Sequence, residues 1–125
     1  MAFATKLSFE DQVAEHSRIW AATDVDNTAT IFETKSRKLT WVFIENTTVA
    51  TTYVKFYNSV SVVAGTTEPN MILPVPNAGE ICFVFPSFLS SVFTTGLTIL
   101  ASTTGGRSAT APAVGINMKV ATRAS

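Results

Sequence analysis

The sequence predicts an all-β protein, a single antiparallel β-sandwich, and three observations carry that prediction. Short apolar or alternating runs recur along the 125 residues, separated by Gly, Pro, Asn and Ser; eight to ten strands at spacings of about 8–12 residues are the pattern of a sandwich or barrel. Charged residues make up only 14% of the chain against about 25% in an average globular domain, and Thr and Ser, which suit pleated half-buried positions, fill the difference. Helical composition is confined to Glu10-Asp11-Gln12-Val13-Ala14-Glu15-His16, which is too short for more than a turn or two.

A chain of 13.4 kDa is one domain's worth and buries roughly two-thirds of the surface it exposes when unfolded. Residues 1–15 are expected to form an extended N-terminal arm with a short helical turn, and residues 16–125 the sandwich. In the arm, Phe3, Leu7 and Phe9 share a strand parity and give it one apolar edge. Ser8 is placed to cap the helical turn, whose acids fall in its first turn where the dipole favours them.

Arg18 to Ala22 reads as a strand closed by a turn at Asp24-Val25-Asp26-Asn27. Those Asx residues lack the Gly and distal Glu of a calcium loop, so turn chemistry is the expectation. Thr28 to Thr34 has strand propensity, and Lys35-Ser36-Arg37-Lys38 is expected as a solvated hairpin turn. Its three bases lack the aromatic interleaving and broad basic face of a nucleic-acid site. Leu39 to Asn46 is apolar on both parities, so burial of both faces is expected, against the core on one side and a second layer or partner on the other.

Tyr53-Val54-Lys55-Phe56-Tyr57 alternates, with Val54 and Phe56 inward and Tyr53, Lys55 and Tyr57 on a wet face. Ser59 to Ala64 leads into a turn at Gly65. Met71 to Pro76 carries two prolines that cannot donate to a ladder, which places it along a sheet edge. After Asn77-Ala78-Gly79, Ile81, Phe83 and Phe85 share one face, and Cys82 is expected as a small buried hydrophobe. Phe88 to Phe93 is expected as a loop or short helical turn, Leu97 to Ala101 as a strand, Ser102 to Pro112 as a mobile loop, and Val114 to Thr122 as the last strand.

Several function classes are disfavoured. Net charge is zero, from nine acids and nine bases, so no overall field draws the chain to nucleic acid or anionic membrane. The charge-free stretch from Ile81 to Gly106 exceeds the roughly 20 residues of a membrane span, but Pro86, Gly96 and many Ser and Thr interrupt it. One cysteine precludes an internal disulfide framework, and Met1 to Phe9 lacks the basic start and apolar run of a secretory signal. His16 has no Cys, Asp or second His at ligand spacing. No nucleophilic triad or phosphate cradle is present. Glu33, Glu45 and Glu80 stand singly among strands. No enzyme activity and no cofactor are expected.

The order of elements carries a resemblance. Tyr53-Val54-Lys55-Phe56-Tyr57-Asn58 leads to Gly65-Thr66-Thr67-Glu68-Pro69, then to Ile72-Leu73-Pro74-Val75-Pro76 with Asn77-Ala78-Gly79, a Phe-rich strand, Thr95 to Ala101, and a late Ala111-Pro112. This resembles small virion proteins of tailed bacteriophages, and most of all capsid decoration (cement) proteins. The resemblance covers roughly residues 46–114 and leaves the longer start, Met1 to Lys38, unmatched. It implies a jelly-roll-like sandwich without catalytic residues, made in the host cytoplasm and placed on the capsid surface of the virion. The implied partners are the major capsid protein and the chain itself, as homodimer or homotrimer, with no nucleic acid and no membrane. Contact residues are then expected at Phe3, Leu7 and Phe9 of the arm, at Trp20, and at Arg107 in the loop. The alternative is a tail-fibre or baseplate adhesion module binding a host glycan or protein through exposed rings such as Tyr53 and Tyr57.

Overall fold

The computed structural model of the chain describes residues 4–6, 17–86, 93–112 and 115–124. These hold nine strands and no helix: β1 (Ala4–Lys6), β2 (Ser17–Val25), β3 (Thr30–Glu33), β4 (Arg37–Asn46), β5 (Thr52–Tyr57), β6 (Met71–Val75), β7 (Gly79–Val84), β8 (Leu97–Ser102) and β9 (Ile116–Ala124). The expected helical turn before Ser17 and the segment after Pro86 lie outside the described residues.

The winding is simple to state. From β2 onward the chain is one long antiparallel hairpin folded about the β5–β6 connection, so that β5 pairs with β6, β4 with β7, β3 with β8 and β2 with β9. Rolling that hairpin up brings β9 against β4 and β8 against β5 as well. The result is two antiparallel sheets, ordered β1-β2-β9-β4-β7 and β3-β8-β5-β6. This is a jelly-roll sandwich. β1 adds an edge strand to the first sheet through its pairing with β2.

The core is where period-two alternation sends the apolar side chains. Val42, Ile44, Ile116, Met118 and Val120 of the first sheet face Val54, Phe56, Leu97 and Ile99 of the second, all buried. Phe85 closes the core with its ring edge-on to Phe56 at 6.1 Å and to Phe83 at 4.8 Å. β6, with its proline, runs along the edge of the second sheet, as its missing donor requires.

Three local readings need correction. The segment at Lys35-Ser36-Arg37-Lys38 is not a hairpin turn: β3 and β4 lie in different sheets, so it is a corner crossing the sandwich, and Arg37 and Lys38 already belong to β4. Within the chain β4 buries one face: among the described residues no second layer lies over the other, which is the face the sequence also offered to a partner. Its register against β9 slips between Leu39 and Trp41, a bulge at Thr40, which lets Leu39, Val42 and Ile44 share the inner face although their parities differ. Cys82 is exposed, because Ile81, Phe83 and Phe85 take the inner face and alternation turns their neighbour outward.

The supposed wet face of β5 is also covered. Lys55 and Tyr57 are both buried. The loop after β8 is tied down by bonds from the Asn27 side-chain amide to the Ala109 carbonyl at 2.9 Å, from the Thr110 amide to Ser102 Oγ at 2.9 Å and from the Thr103 amide to the Thr110 carbonyl at 3.0 Å. It meets β5 where the Lys55 ammonium donates to the Ser108 carbonyl. It is an anchored cover over Lys55, where the sequence suggested a mobile loop.

Burial pushes the Lys55 ammonium below its ordinary 10.5. Between that lowered value and 10.5 the unfolded chain binds more protons than the folded one, so stability rises with pH across this window. Tyr57 acts oppositely: burial, with Glu68 adding to it, pushes its phenol above 10.0, so stability falls once the unfolded chain loses that proton. Lys55→Met is expected to remove the rising limb and to add about 1 kcal/mol at neutral pH, since exchanging a poorly solvated charge for an apolar chain of similar length is often stabilising. Urea unfolding at several pH values between neutrality and the Lys range checks this; a destabilised Lys55→Met variant would show that the carbonyl contact outweighs the desolvation.

Candidate interaction surfaces

Two surfaces stand out. The first is the outer face of the five-stranded sheet. The bulge at Thr40 places Trp41 and Phe43 on this face, both half-buried. Trp41 stands opposite Val84, which is 72% exposed, and Phe43 stands between Cys82 and Lys119. A shallow cleft of about 280 Å³ lies beside Phe43, between β2, β4 and β9. At the end of the same face Glu45 stands opposite both Glu80 and Asn117, whose amide donates to Glu45 Oε1 at 3.3 Å. An apolar strip with charges at its rim is the anatomy of a protein-binding face.

The second surface is built around a buried carboxylate. Glu33, the last residue of β3, is 3% exposed. Its Oε1 accepts from Arg18 Nη1 at 2.9 Å, and its Oε2 accepts from Trp20 Nε1 at 2.7 Å and from Thr122 Oγ1 at 2.6 Å. Arg37, also buried, brings its Nε to 3.7 Å from the same Oε2 and donates to Thr122 Oγ1 at 3.4 Å. Burial lowers the proton affinity of Arg37; Glu33 opposes that shift and Arg18 adds to it. Outside this knot an open cleft of about 430 Å³ is lined by Arg18, Glu33, Thr34, Lys35, Ser36, Arg37 and Ala124. Lys38 and Arg123 face each other across the neighbouring ladder position.

The charges are therefore sorted along the sheet. Among the described residues one end carries Arg18, Lys35 and Arg37 beside Glu33, with Lys38 and Arg123 on the outer face of the sheet. The far end carries Asp24, Asp26, Glu45 and Glu80, placed there by the pairings of Val25 with Ile116 and of Glu45 with Asn117 and Glu80. Among the described residues no group of three or more His, Cys, Asp or Glu is arranged to hold a metal ion, and no helix is long and apolar enough to cross a membrane.

Of the residues picked from sequence as contacts, Phe3, Leu7 and Phe9 lie outside those described. Trp20 is half-buried, packs on the core and spends its indole N–H on Glu33. Arg107 is 64% exposed and pairs with Glu68 at 2.9 Å. Trp20 and Arg107 thus serve separate contacts, one to Glu33 and the other to Glu68. Sequence reasoning missed the Glu33 knot and the Trp41–Phe43–Val84 strip; the signal for the strip was present in the two-parity apolar pattern of β4, whereas nothing local marked the knot. No protein-family model matches the chain, and no curated protein or solved structure matches it significantly.

Proposed function

We propose that this chain is a non-enzymatic structural virion protein that decorates and stabilises a bacteriophage capsid by binding across neighbouring capsid subunits, itself assembled as a homodimer or homotrimer. The observation that carries the proposal is the strip of Trp41, Phe43 and Val84, with Val84 72% exposed, on the outer face of a jelly-roll sheet. Jelly rolls recur in capsid domains. The resemblance in element order to phage decoration proteins supports the same reading. A rigid face of this kind supplies modest affinity per copy, and symmetric repetition over a shell multiplies it.

The adhesion alternative loses part of its support, because Tyr57 is buried and offers no exposed ring for a sugar. The test is direct. Purified protein is incubated separately with expanded empty heads and with host cells, and bound protein is measured after sedimentation. Saturable head binding is expected, with occupancy at a fixed subsaturating concentration reduced at least about tenfold in a Trp41→Ser/Val84→Asp variant, the scale of one lost interface anchor. Binding to cells without binding to heads would replace decoration by adhesion.

A further inference from the structure

We infer that β7, the edge strand of the five-stranded sheet, pairs antiparallel with β7 of a second copy of the chain about a two-fold axis at Cys82. This gives the homodimer of the proposed function its interface. It rests on that reading for nothing else, because the solution measurements that test it involve no capsid.

Sheet edges carry unpaired backbone groups, and folded proteins blunt them with short strands, bulges, prolines or inward-pointing charges. Among the described residues three of the four sheet edges are blunted in this way. β1 has only three residues. β3 has four, with a register slip between Ile31 and Glu33 and a buried charge at Glu33. β6 contains Pro74, which has no N–H to offer. β7 has none of these devices. It runs six residues in unbroken register with β4, has no proline or lysine, and among the described residues nothing pairs with its outer side. The core is also incompletely covered here. Four of the five apolar side chains that pack on the core but stay partly exposed are Met71, Leu73, Ile81 and Phe83. They belong to β6 and β7, which lie side by side, so a strand laid along β7 extends the sheet and covers this side of the core.

The backbone fixes which residues meet, and their chemistry selects a second copy as the occupant. The Phe85 amide donates to the Thr40 carbonyl at 2.8 Å. By alternation the amides of Phe83 and Ile81 also point at β4, and those of Glu80, Cys82 and Val84 point away from it. Of the antiparallel self-pairings that match these outward groups, the one centred on Cys82 uses the most of them. Cys82 exchanges both backbone bonds with its counterpart, and Glu80 exchanges both with Val84 of the second copy. On the outer face each Glu80 then stands beside a valine, whereas a register centred on Glu80 sets the two acids against each other. On the inner face Ile81 stands opposite Phe83, apolar against apolar, on both sides of the axis. Phe43 is the neighbour of Cys82 on β4, so the two copies place Phe43, Cys82, Cys82 and Phe43 in one row. Their apolar strips thereby join into a single face.

The test is the oligomeric state of the full chain in solution. Sedimentation of the parent over a range of concentrations should show reversible doubling of its 13.4 kDa mass. A short bis-maleimide linker should join two copies through Cys82, which is exposed, in buffer but not in urea. Val84→Pro removes one outward donor from each copy and leaves the bonds to β4 in place. It should weaken association at least about tenfold. Ile31→Ser, on the β3 edge of the other sheet, is the control and should change association less than about twofold. Circular dichroism and urea unfolding verify that both variants fold. Charge exchange tests the register independently of the proline variant. Cys82→Asp and Cys82→Lys each set like charges opposite one another across the axis and should associate at least about threefold more weakly than the parent. An equal mixture of the two should recover the loss. A parent that stays at one chain's mass, a limiting mass of three copies, or absent Cys82 cross-linking would overturn the proposal. So would equal association of folded Val84→Pro and Ile31→Ser, or a charge-exchange mixture that associates no better than its components.

Discussion

Glu33→Ala is expected to lower the stability of the fold by about 3–5 kcal/mol, the cost of removing one partner from a buried ion pair. The carboxylate is the common acceptor for Arg18, Trp20 and Thr122, with Arg37 beside it at 3.7 Å. Without it, an indole N–H and a threonine hydroxyl lose their acceptor, and the buried Arg37 guanidinium loses the carboxylate 3.7 Å from it. Arg18, about one-third exposed, recovers part of its loss in water. Glu33→Gln retains an oxygen for one or two of the donors but no negative charge, so it should fall between parent and Ala. Replacing Arg37 by Met in the Glu33→Ala background should restore part of the loss, because the buried guanidinium that lost this carboxylate is then gone as well. Urea unfolding of the parent, Glu33→Ala, Arg37→Met and the double variant measures this as a double-mutant cycle, with Glu33→Gln read beside it. A cost below about 1 kcal/mol for Glu33→Ala would mean that water, not the carboxylate, solvates the arginines.

This knot also marks where the sequence stops being informative. Glu33 meets Arg18 across 15 positions and Thr122 across 89. The four-residue spacing of Glu33 and Arg37 is one that, read locally, suggests a helix and not a corner between two sheets. Only the rolling of the hairpin brings β2, β3 and β9 together, and no local pattern encodes that. What alternation does encode was legible: Val54 and Phe56 of β5, Ile81 and Phe83 of β7, and Met118 and Val120 of β9 take the inward positions their parity assigns. Proline chemistry placed β6 on an edge. The alternation argument failed at two kinds of place. At Thr40 a bulge changes parity inside one strand, so a pattern that suggested two buried faces is a change of face at the bulge followed by a half-exposed aromatic strip. At Lys55 the parity was correct but solvent was not what lay outside, because a loop distant in sequence meets its ammonium there; Tyr57 on the same face is buried as well.

Asn46→Ala is expected to cost about 3 kcal/mol, more than its place at a strand end suggests, because several buried backbone groups lose their partners together. Asn46 is 1% exposed. Its amide nitrogen lies 3.0 Å from the Ala50 carbonyl and 3.1 Å from each of the Val75 and Pro76 carbonyls. Its oxygen accepts from the Thr48 amide at 3.0 Å and the Thr48 hydroxyl at 2.7 Å. One side chain thereby fastens the β4–β5 connection to the end of β6, and Ala78 adds a backbone bond to the Thr48 carbonyl at 3.0 Å. Asn46-Thr47-Thr48 has the pattern of a glycosylation acceptor, but an amide buried among carbonyls is not open to modification in the folded protein. Asn46→Asp sharpens the test. It keeps the size and the acceptor but points a second oxygen at three carbonyls, so the folded state should hold the carboxyl proton more tightly than the unfolded chain does. Its carboxyl pKa then lies above the ordinary value of about 3.9 in the folded state, and stability present at low pH is lost as pH rises through that ordinary value. Asn46→Asp should therefore fall below Asn46→Ala at neutral pH and recover toward it near pH 4, where urea midpoints can be compared directly. If Asn46→Ala lies within about 1 kcal/mol of the parent, the two connections hold their shape through backbone turns alone and the side chain is dispensable.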